Sequence, residues 1–133
     1  MTRDELQAQC EKIPFFRFLG FSIVEAGDTF ILACMEQSDR HIGNPVIQAY
    51  HGGITASLME AVASVSVSHN WAILRPKPIN LTVDYLRPAL VGTLYARAEI
   101  LKKGRRMASI ETVAWQKDTE RPVAKGLFHF LLV

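Results

Sequence analysis

His51-Gly52-Gly53-Ile54-Thr55-Ala56-Ser57-Leu58-Met59-Glu60-Ala61-Val62-Ala63-Ser64-Val65-Ser66-Val67-Ser68 is built of small and apolar residues and carries one charge, Glu60, near its middle. The stretch reads as a single long helix. A helix with so few charged positions offers no face to water, which predicts burial on nearly every side by the rest of the domain. Glu60 is then buried too. Desolvation raises the pKa of a carboxylate that lacks a partner, toward the range useful to a general base.

The flanking sequence supplies what covers the helix. Residues 4 to 19 predict a short leading helix, then an irregular aromatic turn in which Pro14 interrupts the pattern among Phe15, Phe16 and Phe18. Phe21 to Ala26 and Thr29 to Glu36 read as a strand hairpin that turns at Gly27-Asp28. Residues 37 to 50, with Ser38, Asp39, Gly43, Asn44 and Pro45, suit a loop that leads straight into the helix. Beyond it, Pro76 and Pro78 force a connection, and four strand-like runs follow: Ile79 to Arg87, Thr93 to Lys102, Met107 to Lys117 and Arg121 to Val133. Within the first of these, the alternating Ile79, Leu81, Val83 and Tyr85 are expected in the sheet core.

The order predicts an α+β fold: one antiparallel sheet of about six strands wrapped around a long central helix. With 133 residues, 49% of them hydrophobic, the chain suits one domain over 1–133 and is short for two. A single small sheet covers only one side of the helix, so the other side calls for a second copy of the chain.

Charge and cysteine usage narrow the partners. Fifteen Lys and Arg against 13 Asp and Glu leave a formal charge of +2, without the basic density of a nucleic-acid binder. Cys10 and Cys34 form no paired motif, and His41, His69 and His129 are scattered, so neither a disulfide framework nor a metal site is expected. No cofactor is implied. The charged start, Met-Thr-Arg-Asp-Glu, lacks the apolar core of a signal peptide, and no run matches a membrane span, so a cytoplasmic protein without a membrane partner is expected.

Two features of the helix belong together chemically. Unpaired N–H groups at the Gly52-Gly53 start carry partial positive charge and suit a developing oxyanion, while Glu60 supplies a base. Eight residues at a rise of about 1.5 Å separate Gly52 from Glu60 by ~12 Å, too far to serve one reacting carbon. Two copies with antiparallel helices remove the difficulty, because Gly52 of each approaches Glu60 of the other. Ser57, Glu60, Ser64 and Ser68 share one stripe, which places the Ser64 hydroxyl one turn from the carboxylate. His51 reads as a capping or packing residue. Lys102-Lys103-Gly104-Arg105-Arg106 concentrates four positive charges at a hairpin tip, suited to gripping phosphates or simply to solvation.

The motif from His51 to Glu60 resembles the H-G-G-x-x-x-x-L-x-[DE] of the hotdog-fold acyl-CoA thioesterases, in particular the phenylacetic-acid-pathway and 4-hydroxybenzoyl-CoA thioesterase group. Strand order and length agree with that family over essentially the whole chain. The resemblance implies hydrolysis of a CoA thioester at a homodimer interface, with pairs often assembled into tetramers. It implies Glu60 as general base or nucleophile, Gly52 as the backbone donor to the thioester carbonyl, and Ser64 as the hydroxyl that accompanies a glutamate at this position. The family's preceding-loop amide has no direct match, because Pro45 occupies its place; Asn44 is favoured for it, and Gln48 is the alternative. Lys102, Lys103, Arg105 and Arg106 then become candidates for the CoA phosphates, and the acyl group is expected to be aryl or short to medium in length. Two rival readings are an acyl-thioester dehydratase of the same fold, whose usual H-F-P-x-x-P loop is absent, and a non-catalytic acyl-CoA sensor or scaffold.

Overall fold

The computed structural model describes residues 1–73 and 76–132. Helix α1 (Arg3–Cys10) is started by a capping box in which Thr2 accepts from the Glu5 N–H and Glu5 returns to the Thr2 backbone. Helix α2 (Pro14–Leu19) follows, then β1 (Phe21–Ala26), β2 (Phe30–Met35), the short β3 (Ile42–Asn44) and β4 (Ala49–Tyr50), helix α3 (Gly52–Trp71), and β5 (Lys77–Tyr85), β6 (Leu94–Lys103), β7 (Met107–Trp115) and β8 (Ala124–Leu131). Six strands form one antiparallel sheet in the order β1-β2-β6-β7-β8-β5, and β3 and β4 make a separate small hairpin.

Helix α3 lies along the inner face of the sheet, as its composition requires. Leu58, Met59, Val62, Ala63 and Val67 are fully buried against Ile31, Ile110, Phe128 and Phe130. Beneath the helix the central strands present Ala33, Ala96, Ala98, Ala108 and Ala114, all fully buried. These short side chains let the helix settle close to the sheet. The described residues cover the opposite side of α3 only in part: Gly53 is exposed, and Ala56, Ser57, Glu60 and Ser64 are partly buried along one strip.

The two edges of the sheet differ. On β1 the Ile23 N–H donates to the Gln7 side chain at 2.7 Å, so α1 satisfies edge backbone that would otherwise face water. No strand among the described residues pairs with the outer edge of β5.

Three expectations from sequence need correcting. The aromatic turn after α1 is a helix: Pro14 occupies the first helical position, where its fixed φ and missing N–H fit, and Gly20, at φ 76°, ends it. The loop at 37–50 contains a 3-10 turn over Asp39–His41 and the β3–β4 hairpin. The β5 side chains are not sheet core, since Ile79, Leu81 and Tyr85 are 48%, 43% and 57% exposed. Leu81, Val83 and Tyr85 are in register with Phe128, Gly126 and Ala124 on the inner face, but at the edge strand they lie beyond the cover of α3, and only Val83 packs against the core.

Candidate functional site

The start of α3 distinguishes its two glycines. His51 is the N-cap, and its ring Nδ1 accepts the Gly53 N–H at 2.8 Å. Its carbonyl takes the next two donors, Ile54 N–H at 2.9 Å and Thr55 N–H at 3.2 Å. Of the first four helix donors, only the Gly52 N–H has no acceptor among the described residues. Only Gly53 is held to glycine by space, since a Cβ there would lie 2.9 Å from the capping nitrogen of His51; one on Gly52 would lie 3.3 Å from the ring of the exposed Tyr85, which a shift of a few tenths of an ångström relieves.

Tyr85 is the residue that sequence reasoning missed. It projects from the end of β5, and its hydroxyl donates to the Gly52 carbonyl at 2.8 Å. Together with Tyr50, Thr55, Arg87 and Pro88 it bounds a cavity of about 320 Å³ at the helix start. No local pattern links positions 52 and 85, so the pairing becomes visible only in the fold.

Glu60 lies two turns further along α3, partly buried on the open strip. Burial raises its pKa above the ordinary 4.5. No cation pairs with it among the described residues. Ser64, one turn on, donates its hydroxyl hydrogen to the Ala61 carbonyl at 2.8 Å, which leaves its oxygen lone pairs as acceptors. Because α3 is continuous from Gly52 to Trp71, the ~12 Å between Gly52 and Glu60 within one chain stands.

Asn44 and Gln48 sit on the exposed β3–β4 hairpin that leads into α3. The Asn44 side-chain oxygen accepts from the Val46 N–H at 3.1 Å and the Ile47 N–H at 3.4 Å, and its NH2 has no acceptor among the described residues. Gln48 adopts φ 55° and gives a side-chain N–H to the Pro45 carbonyl at 2.6 Å. Lys102, Lys103, Arg105 and Arg106 form the β6–β7 tip, where the Lys103 ammonium lies 5.5 Å from the Trp71 ring centroid. That contact fixes the basic tip at the C-terminal end of α3, opposite to Gly52. Within one chain the sequence candidates therefore fall into three places along the helix: its start, its middle and its end.

Comparison with known proteins agrees with this architecture. Residues 42–131, more than half of the chain, match the family model for the acyl-CoA thioesterase N-terminal domain. A putative esterase of Mycobacterium tuberculosis (strain CDC 1551 / Oshkosh) is 27% identical over 119 residues, covering 86% of this chain and 82% of that protein. The X-ray structure of a protein from the thioesterase superfamily superimposes with a TM-score of 0.90 at 29% identity, over 97% of this chain and 96% of that one. The phenylacetic acid degradation protein PaaI of Thermus thermophilus, seen as a mutant, shares the fold with a TM-score of 0.78 at 19% identity, over 90% of this chain and 98% of that one. Sheet order, central helix and family match converge: the chain belongs to the acyl-CoA thioesterase domain family and is a thioester hydrolase of the hotdog fold.

Proposed function

We propose that the chain hydrolyses an acyl-CoA thioester to the free acid and CoA, at sites shared between two antiparallel copies. The observation that carries this reading is that, among the described residues, the Gly52 N–H at one place on α3 has no acceptor and Glu60 two turns away has no partner, complementary groups that one helix holds too far apart to use together. A second copy laid against the open strip brings Glu60 of one beside Gly52 of the other. The small side chains along that strip permit a close helix crossing, and the uncovered β5 edge with its exposed Ile79 and Leu81 offers a strand to pair and apolar surface to bury.

In this arrangement Glu60 removes a proton from water, and the hydroxide adds to the thioester carbonyl carbon. The carbonyl oxygen becomes an oxyanion held by the Gly52 N–H of the other copy. The C–S bond then breaks, and the departing CoA thiolate takes the proton from Glu60. Direct attack by Glu60 gives an acyl-enzyme anhydride instead, with thiolate release and then hydrolysis by water. Asn44 serves best as the loop amide, because its NH2 is an uncommitted donor for the carbonyl or water, whereas Gln48 already spends an N–H on Pro45. Ser64 accepts a hydrogen bond from water beside the carboxylate. The antiparallel pairing also sets the basic Lys102–Arg106 tip of one copy near the Gly52 end of the other, where it meets CoA phosphates.

Complementation between two inactive variants tests the shared site. Gly52→Pro deletes the one unclaimed N–H at the first helical position, where proline is tolerated, and His51 at φ −62°, ψ 133° already has the extended backbone that a following proline requires. Glu60→Gln removes the base. Each homogeneous variant is expected to be inactive, and the two refolded together in equal amounts recover roughly a quarter of normal turnover, since half the pairs are mixed and each has one intact site. No recovery from properly mixed dimers would overturn the shared site.

A further inference from the structure

A groove of about 570 Å³ separates α3 from the two N-terminal helices. Leu6 and Cys10 of α1, Ile13 and Phe16 around the start of α2, and Val65 of α3 give it an apolar wall. Ser64 stands on its α3 side, one turn from Glu60. Lys12 is the one charged lining residue among the described residues, and it is exposed, so none of the described wall residues buries a charge.

We infer that this groove receives the acyl group of the thioester, and that its occupant is a flexible, unbranched aliphatic chain of medium length in preference to an aryl group. The inference rests on the hydrolytic reading above, which puts the reacting carbonyl at Glu60. From there the chain passes Ser64 and follows α3 to Ser68, a run of ~12 Å along the helix axis. Size decides against a ring. A cavity of roughly 150 Å³ suffices for benzene, so an aryl group leaves most of this groove empty or wet and forgoes the contacts that hold it. A linear chain fills the groove along its length, and each buried methylene is expected to tighten binding roughly fourfold.

Hydrolysis of acetyl-, hexanoyl-, decanoyl-, benzoyl- and phenylacetyl-CoA, with binding of the uncleavable thioethers S-decyl-CoA and S-benzyl-CoA by calorimetry, tests the assignment. The expected kcat/KM rises from acetyl to decanoyl and exceeds that for both aryl esters. Ile13→Trp, from a position that is 36% exposed, and Gln9→Trp, from α1, each fill the groove. Both are expected to lower decanoyl-CoA turnover and S-decyl-CoA affinity by about tenfold or more and to lower acetyl-CoA hydrolysis by far less. A preference for aryl esters, or unchanged decanoyl turnover in both folded variants, overturns the groove assignment and leaves the hydrolase reading intact. Loss of S-decyl-CoA binding in the variants of a protein that cleaves none of the esters supports the groove and overturns the hydrolytic reading.

Discussion

The Tyr85 hydroxyl donates to the Gly52 carbonyl at 2.8 Å, so the end of the uncovered edge strand is tied to the first residue of the central helix. The Tyr85 ring also lies against the Cα of Gly52, close enough that a methyl there would touch it at 3.3 Å. Tyr85→Phe keeps that packing and removes the hydrogen bond, for about 1 kcal/mol at such an exposed site. A fall of a few degrees in Tm by calorimetry is expected, with a kcat loss below about tenfold because the Gly52 N–H is retained. A loss as large as that of Glu60→Gln would make Tyr85 a direct participant in the chemistry.

Glu60→Gln is expected to lower kcat by about 10²–10⁴ and to stabilise the protein at neutral pH. Burial raises the folded-state pKa of Glu60 above 4.5, so the folded chain holds this proton more tightly than the unfolded one. Its contribution to stability is therefore complete below pH 4.5 and is lost as the pH rises through the folded pKa. The Tm advantage of the glutamine variant should be largest at pH 7 and vanish in acid. A variant that is less stable at pH 7 would mean that the ionised carboxylate has a favourable partner.

Leu81→Lys places a charge on the inner face of the edge strand, where Leu81 is 43% exposed. If β5 edges pair between copies, sedimentation velocity should show the variant shifted to monomer, and turnover should fall in step with dissociation because each site needs both chains. A monomer that retains full activity would locate the chemistry within one chain.

Charge reversal at Lys102 and Arg105 is expected to raise KM for acyl-CoA by roughly tenfold and to flatten its dependence on salt. The same acyl group carried on N-acetylcysteamine, which has no phosphates, should be hydrolysed equally by variant and wild type. Lys103 is left in place because it also packs on Trp71. Equal KM changes for both carriers would assign the tip a structural role.

Much of this was legible from the helix outward. The run from Gly52 to Ser68 is too apolar to be anything but central, and its one carboxylate and two leading glycines stand out against that background. The hairpin tips and the succession of the six sheet strands along the chain followed from turn residues and alternation, whereas the β3–β4 hairpin did not. Alternation reports which side chains share a face, however, and not whether anything lies over that face. Leu81 and Tyr85 therefore looked like core and are edge residues. Pro14 was ambiguous for a similar reason, since proline both breaks a helix and begins one, and the deciding Gly20 lies six residues away. The separate fates of the Gly52 and Gly53 N–H groups depend on a ring orientation of His51 that only three-dimensional packing fixes.

The alanines under α3 have an evolutionary consequence. A bulkier residue at the fully buried Ala33, Ala96 or Ala114 would push against the helix that carries Glu60, so on the proposed mechanism this floor is tightly constrained. The helices ahead of Gly20 also bury Leu6, Cys10 and Leu19, but Gln9 and Ile13, on their groove side, are not held in that core. With the acyl group in the groove as inferred, remodelling those groove-side positions would change the acyl preference and leave one reaction chamber to serve many diets.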